Sequence, residues 1–322
     1  PDSSRYDGFM HDDGGTKMND IKLKHILPQT GEIVVGCMRF DSLTPEQIAD
    51  MIDRLAGEGI LHYDHADIYG DGICEEKFGQ ALQLCQTPRE QLILQSKCGI
   101  REGYYDLSRE YILDAVDRIL ARLQTGYLDL LILHRPDALM EPSEIAAAFD
   151  ELQAAGKVRY FGVSNFTPGQ IELLESAVHQ PLLVNQLQLS IPNSWMISSG
   201  LETNMPSEGS IDRDGHVLDS MRAKGITIQT WSPLQFGDWE GTFLDHPEFP
   251  ELNRLLEKLA EKYGVSKSAI AAAWILRHPA GMQVVTGSSK TERILDMAKA
   301  RNLHLTRKEW YALYQAAGHR IP

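Results

Sequence analysis

The sequence predicts a single-domain α/β fold, a closed (β/α)8 barrel, and three observations predict it. Eight short apolar runs alternate with amphipathic stretches across the 322 residues. Runs such as Leu-Asp-Leu-Leu-Ile-Leu (128–133) are apolar almost throughout, the pattern of a strand covered on both faces by crossover helices. The first strand-to-helix turn, Gly36-Cys37-Met38-Arg39-Phe40, lacks the glycine-rich fingerprint of an open, doubly wound dinucleotide sheet. A barrel of this size folds as one domain.

Along the chain, Pro1–Lys17 is polar, rich in Gly and Asp and without periodicity; it reads as a leader or expression remnant, leaving 18–322 for the barrel, with Met18 as a natural start. Ile21–Leu27 and Glu32–Val35, flanking Gln29-Thr30-Gly31, predict a short N-terminal hairpin. The strand candidates are Ile33–Cys37, Leu61–His65, Leu92–Lys97, Leu128–His134, Val158–Val163, Leu182–Gln188, Ile226–Thr230 and Gln283–Thr286. Helix starts are marked by Thr44-Pro45-Glu46-Gln47, Ser108-Arg109-Glu110, Pro142-Ser143-Glu144 and Thr167-Pro168. In these a hydroxyl can cap a free backbone N–H, and proline in the first turn loses no hydrogen bond. Glycines 57, 59, 126, 156 and 225 sit where helices end. Two long loops, Ser190–Gly215 after the sixth strand and Pro233–Pro250 after the seventh, would lie at the barrel mouth and are candidate lids.

Composition narrows the partners. Lys and Arg number 31 against 45 Asp and Glu, a formal charge of −14, which repels nucleic-acid phosphates and anionic lipid. Cys37, Cys74, Cys85 and Cys98 have no metal-ligand or disulfide-framework spacing, so neither zinc nor a disulfide scaffold is expected. With no long apolar run and no apolar signal segment, a reducing cytoplasm is the expected setting. A monomer is consistent with the sequence.

Four polar groups stand at or just beyond the ends of consecutive strand candidates: Asp64 with Tyr69 in the loop behind it, Lys97 on the third strand, and His134 on the fourth. A phenol is a poor acid at neutral pH, with a reference pKa of about 10. An ammonium beside it, Lys97, is expected to lower that value, with Asp64 holding the ammonium charged and pointed. His134 is placed to donate a hydrogen bond to a carbonyl oxygen. Such a set suits protonation of an oxyanion as a hydride reaches carbon.

These residues resemble a known family, the aldo-keto reductases. Gly59…Asp64-x-Ala66…Tyr69-Gly70…Glu75…Gly79 is similar to the family's opening signature. Asp64, Tyr69, Lys97 and His134 match its catalytic tetrad, and His-Ala-Asp-Ile-Tyr-Gly, Leu-His-Arg-Pro-Asp and Gly-Val-Ser-Asn-Phe resemble a bacterial branch. The resemblance implies an NADPH-dependent oxidoreductase that reduces aldehydes or ketones to alcohols, with Tyr69 as general acid and a small carbonyl compound as its partner. It implies that Ser164, Asn165 and Gln186 bind the nicotinamide carboxamide, that Trp231 stacks on the ring, and that Ser232, Pro233 and Leu234 cross the pyrophosphate. Gly287, Ser288, Ser289, Lys290 and Arg293 would grip a 2′-phosphate, favouring NADPH, where a helix N-terminus and a guanidinium attract anions. Asp296 would reach the adenine amine; Met297 departs from the usual Asn.

Other readings stay open. An NADPH-binding, redox-sensing barrel with negligible turnover would carry the same residues, as related potassium-channel β subunits imply. His62, Asp64, His65 and Asp67 invite a metal-dependent hydrolase reading, against which strand alternation sends His65 to the opposite face from His62 and Asp64. A purely structural protein is the third. Trp195, Trp239 and Tyr104-Tyr105 are candidates either to line a substrate pocket with Arg101–Leu107 and the two long loops, or to pin those loops down. Cys37 and Cys98 read as buried packing residues.

Overall fold

The structure, a computed structural model, describes residues 23–237 and 240–321. Eight parallel strands close into a barrel: β1 (Ile33–Gly36), β2 (His62–Asp64), β3 (Ile93–Cys98), β4 (Leu128–Leu133), β5 (Val158–Ser164), β6 (Leu182–Gln188), β7 (Thr227–Trp231) and β8 (Gln283–Thr286). Each neighbours the next and β8 returns to β1, where Val34 pairs with Val285. Every predicted strand is present to within a residue or two of its expected ends.

The helices begin where the capping chemistry said. Thr44 accepts from the Gln47 N–H and Gln47 returns the bond to the Thr44 N–H, opening Pro45–Gly57; Thr167 and Gln170 do the same for Pro168–Glu175. Ser108 caps Arg109–Leu123 through the Tyr111 N–H. Gly225 takes the left-handed conformation (φ 69°) that ends Val217–Lys224.

Strand alternation sorts the core into two regions. Outward residues such as Tyr63, Leu94, Cys98, Leu131 and Phe161 join the layer between barrel and helices. A smaller apolar cluster of Leu23, Leu27, Ile93, Leu130, Ile132, Leu183 and Val184 lies apart from that layer. Leu23 and Leu27 come from the segment expected to be a hairpin, and here the expectation is corrected. Leu23–Ile26 is a helical turn and Pro28–Thr30 a 3-10 turn. Closure of the barrel gives β1 a parallel neighbour on each side, so no edge remains for an antiparallel partner, and the apolar residues are buried with inward-facing residues of β3 and β4 instead. The expectation for Pro1–Lys17 lies outside the described residues.

The two long loops differ in fate. Ser190–Gly215 contains a short helix, Trp195–Leu201, and is tied sideways to the end of the chain: Ser198 Oγ lies 2.8 Å from Tyr314 Oη and Ser194 Oγ 2.9 Å from His319 Nε2. Ile191, Met196 and Ile197 are buried, so this loop is pinned to the barrel wall and none of it reaches the cleft at the mouth; the expected lid is corrected to a buttress. The segment after β7 forms a small hairpin, Gln235–Phe236 against Gly241–Thr242, which does overhang that cleft. Trp239 lies outside the described residues.

Candidate active site

A cleft of about 800 Å3 opens at the C-terminal ends of the strands, lined among others by Asp64, Tyr69, His134, Ser164, Asn165, Gln186, Trp231 and Arg293. A cleft of about 410 Å3 at the opposite ends of β7 and β8 contains none of the predicted site residues.

Asp64 closes β2, and its neighbour in register on β3 is Gln95, two residues before Lys97 on the same face. This alternation aims Lys97 inward although the side chain is fully buried. Its ammonium lies 2.7 and 2.8 Å from the two Asp64 carboxylate oxygens, donates to the His65 carbonyl at 2.8 Å and reaches the Tyr69 hydroxyl at 3.1 Å. Tyr69 is delivered by a turn whose next two residues, Gly70 and Asp71, both have positive φ (56° and 53°). His134 follows β4 and meets the Tyr69 ring edge-on, with centroids 6.1 Å apart.

The electrostatics follow from burial set against partners. Burial pushes the Lys97 ammonium down, but Asp64 and Tyr69 outweigh it and the group stays above its ordinary value, hence charged. For Tyr69 burial dominates: the phenol is pushed up, against the pull of Lys97. This corrects the expected lowering. Removing a phenolate from water costs more here than one ammonium, already neutralised by Asp64, returns. Burial, with Lys97 and Arg135 nearby, holds His134 well below its usual value, so it is a neutral imidazole at physiological pH.

The residues expected to hold a carboxamide meet at the ends of β5, β6 and β7. Asn165 Nδ2 donates to Ser164 Oγ at 2.8 Å, while Trp231 Nε1 donates to Asn165 Oδ1 at 3.2 Å. Gln186 spends both N–H groups inward, on Asp64 Oδ1 and Gln229 Oε1 at 3.1 Å each, leaving its oxygen to offer a ligand. Asn165 and Ser232 adopt left-handed backbone (φ 60° and 51°), a local strain concentrated beside the mouth. Ser232, Pro233 and Leu234 line the same cleft, as do Gly287, Ser288 and Arg293 beyond β8. Ser289, Lys290 and Asp296 are not among the lining groups; Asp296 bonds Lys299 at 3.0 Å.

Several cleft residues gave no signal in the sequence. Arg39, after β1, donates to the Gly287 carbonyl at 2.7 Å and bridges the first and last strand-to-helix turns beside Ser288. Arg135, Met38, Ile68 and Ile100 also line the mouth. Trp195 lies under the Arg213 guanidinium, 4.4 Å from its ring centroid, and Tyr104 and Tyr105 are exposed; none of the three enters the cleft. Neither histidine beside Asp64 turns to solvent. His62 bonds Thr30 and Gln95, His65 packs edge-on against Phe78, and among the described residues no three His, Cys, Asp or Glu side chains converge as metal ligands would.

The family model for the "Aldo/keto reductase family" matches residues 32–317. The chain belongs to that family. An uncharacterized oxidoreductase of Bacillus subtilis, YcsN, is 35% identical over 95% of this chain and 100% of its own length. A 6-dehydroglucose reductase of Novosphingobium aromaticivorans is 34% identical over 95% of this chain and its own full length (100%). An aldo-keto reductase of Bombyx mori, solved in complex with NADP, superposes with a TM-score of 0.68 at 22% identity, over 90% of this chain and 91% of that one. It shares the barrel. In this member of the family the signature residues Glu75 and Gly79 are structural: Glu75 is buried against Arg122 at 2.6 Å and Ser96 at 2.6 Å. A Cβ on Gly79 would lie 2.2 Å from the Arg122 carbonyl.

Proposed function

We propose that this aldo-keto reductase is an NADPH-dependent enzyme that reduces a small aldehyde or ketone to its alcohol, with Tyr69 as general acid. The observation that carries the reading is the buried relay in which Asp64 holds Lys97 at 2.7 Å and Lys97 holds the Tyr69 hydroxyl at 3.1 Å, open to the cleft.

The nicotinamide, when bound, supplies the hydride. Ser164, Asn165 and the spare oxygen of Gln186 would take its carboxamide, Trp231 its ring, and Ser232, Pro233 and Leu234 its pyrophosphate. Gly287, Ser288 and Arg293, helped by Ser289 and Lys290, would take a 2′-phosphate, and Asp296 the adenine amine. Arg39 adds a cation to that end which the sequence had not offered. In a chain of net charge −14 these are local exceptions suited to a polyanion.

Tyr69 has the protonation state an acid requires, since its raised pKa keeps the hydroxyl protonated at neutral pH. As negative charge grows on the carbonyl oxygen, the phenol gives up its proton and Lys97 stabilises the phenolate left behind. His134, neutral, can donate one N–H to the same oxygen without competing for the proton. Four free cysteines, three of them buried, fit a reducing, cytoplasmic setting. The test is turnover of NADPH with a panel of aldehydes and ketones, alongside quenching of tryptophan fluorescence by NADPH. Reduction that disappears in Tyr69→Phe while quenching persists supports the reading. Binding without turnover in the wild type favours a sensor, and no binding of NADPH sinks both.

A further inference from the structure

At the level of Asp64 the barrel interior is polar, and its amides are joined side chain to side chain. Gln95 Nε2 donates to Asp64 Oδ1 at 2.5 Å and to Gln229 Oε1 at 2.9 Å. Gln229 Nε2 donates to Gln283 Oε1 at 2.9 Å and back to Gln95 Oε1 at 3.1 Å. Gln283 Nε2 donates to Thr30 Oγ1 at 2.8 Å and to the Gly31 carbonyl at 2.7 Å. Thr30 Oγ1 lies 2.6 Å from His62 Nδ1, and His62 Nε2 lies 2.8 Å from Gln95 Oε1.

The donors can be assigned without ambiguity once one end is known. An ionised carboxylate only accepts, so Gln95 must present its NH2 to Asp64 and its oxygen to His62. His62 Nε2 is then the N–H, and Nδ1 accepts the Thr30 hydroxyl, whose lone pair takes Gln283. The result is a closed ring, Gln95 to Gln229 to Gln283 to Thr30 to His62 and back, in which each donor has an acceptor. Its members come from β2, β3, β7, β8 and the turn before β1, and Gln95, Gln229, Gln283, Thr30 and His62 are all buried. Burial holds His62 down to about 4, so it remains neutral and the ring keeps its direction at physiological pH.

We propose that Gln95 is a positioning residue for the reduction: fixed by this ring, it holds the Asp64 carboxylate so that Lys97 keeps one N–H on Tyr69. The inference rests on the reductase reading for its consequence, though not for its geometry. Asp64 Oδ1 accepts from Lys97, Gln95 and Gln186 together. With the Gln95 donor gone, the carboxylate draws harder on the ammonium and leaves more uncompensated negative charge beside the phenol, so Tyr69 becomes a weaker acid. If the amides merely fill volume, an apolar side chain of equal size leaves Tyr69 untouched.

The experiment is a tyrosinate absorbance titration of the full chain as wild type and as Gln95→Met, each measured against the same protein carrying Tyr69→Phe so that the difference reports Tyr69 alone. The expected result is an upward shift, with the Tyr69 ionisation constant falling about tenfold, the scale of one hydrogen bond to a charged group. Gln95→Leu, which also lacks a donor to Asp64, is the second variant and is expected to shift Tyr69 the same way. In turnover assays kcat should fall and the alkaline limb of carbonyl reduction should move up with Tyr69, while the Kd for NADPH stays unchanged, since Gln95 is not among the cleft-lining residues. An unshifted Tyr69 in a folded variant overturns the proposal. So does failure of both variants to fold, which would make Gln95 a core residue only. A wild type without turnover refutes the reductase reading, while the titration still decides Gln95.

Discussion

At the residue scale, the proposed chemistry rests on an oxygen and a nitrogen held 3.1 Å apart inside a cavity. Tyr69→Phe removes only that oxygen, and the ring it leaves keeps its edge contact with His134. The expected outcome is loss of carbonyl reduction by a factor of about 1,000 or more with NADPH binding intact, since general acid catalysis contributes about 100- to 10,000-fold; steady-state rates and fluorescence quenching measure the two. Lys97→Met should do worse, because it strands the buried Asp64 carboxylate without its counter-ion, and removing one partner of a buried pair costs about 3–5 kcal/mol. Urea unfolding would register that loss beside the loss of rate. That Asp64, Tyr69, Lys97 and His134 come together was legible in the sequence because each stands within a few residues of a strand end, where a barrel gathers side chains. The direction of the Tyr69 shift was not legible. It depends on how much water the cleft walls exclude, and that is a property of packing.

At the scale of elements, caps and helix packing carry the argument. The reciprocal bonds of Thr44 and Gln47 start the helix that separates β1 from β2, and Thr44→Ala should cost about 1 kcal/mol in a denaturant titration. Gly79 has no room for a methyl group, because the backbone of Arg122 and Leu123 presses on it. Gly79→Ala must push two helices apart and is expected to lose about 1–3 kcal/mol, read as a lower Tm. Such helix starts were visible in the sequence as Thr44-Pro45-Glu46-Gln47 and Thr167-Pro168. The fate of the loop after β6 was not. Its length and polarity suited a lid, whereas Ser194 and Ser198 are bound by His319 and Tyr314 more than a hundred residues later in the chain. Contacts so distant leave no local pattern. The N-terminal hairpin failed for a related reason: its residues alternate well enough for a strand, but closure had used both sides of β1.

For the whole molecule, the buried histidines set the response to acid. His62 is held to about 4 and His65 to about 3, in each case by burial, against an ordinary value of 6.5. The folded state therefore binds fewer protons than the unfolded chain between about pH 6.5 and pH 3–4. Stability is full above that window and falls as pH drops through it, by up to about 1.4 kcal/mol per pH unit for each buried histidine. Urea midpoints at pH 7, 6 and 5 should decline in that order. His65 is the cleanest probe, since among the described residues neither ring nitrogen has a hydrogen-bond partner and the ring lies against Phe78. His65→Leu is expected to flatten the slope while leaving stability at pH 7 equal or higher; a slope unchanged by this replacement would assign the acid response elsewhere.

Taken by itself, the order of residues determined the eight strands, the helix starts and the four groups at the mouth, because period, capping and strand-end position are local properties that neighbouring residues impose. Only the folded chain decided which loop overhangs the cleft, which way the phenol titrates and that three glutamines from separate strands share one ring with Thr30 and His62. Those outcomes depend on burial and on distances across the barrel, and neither exists until the last strand has met the first.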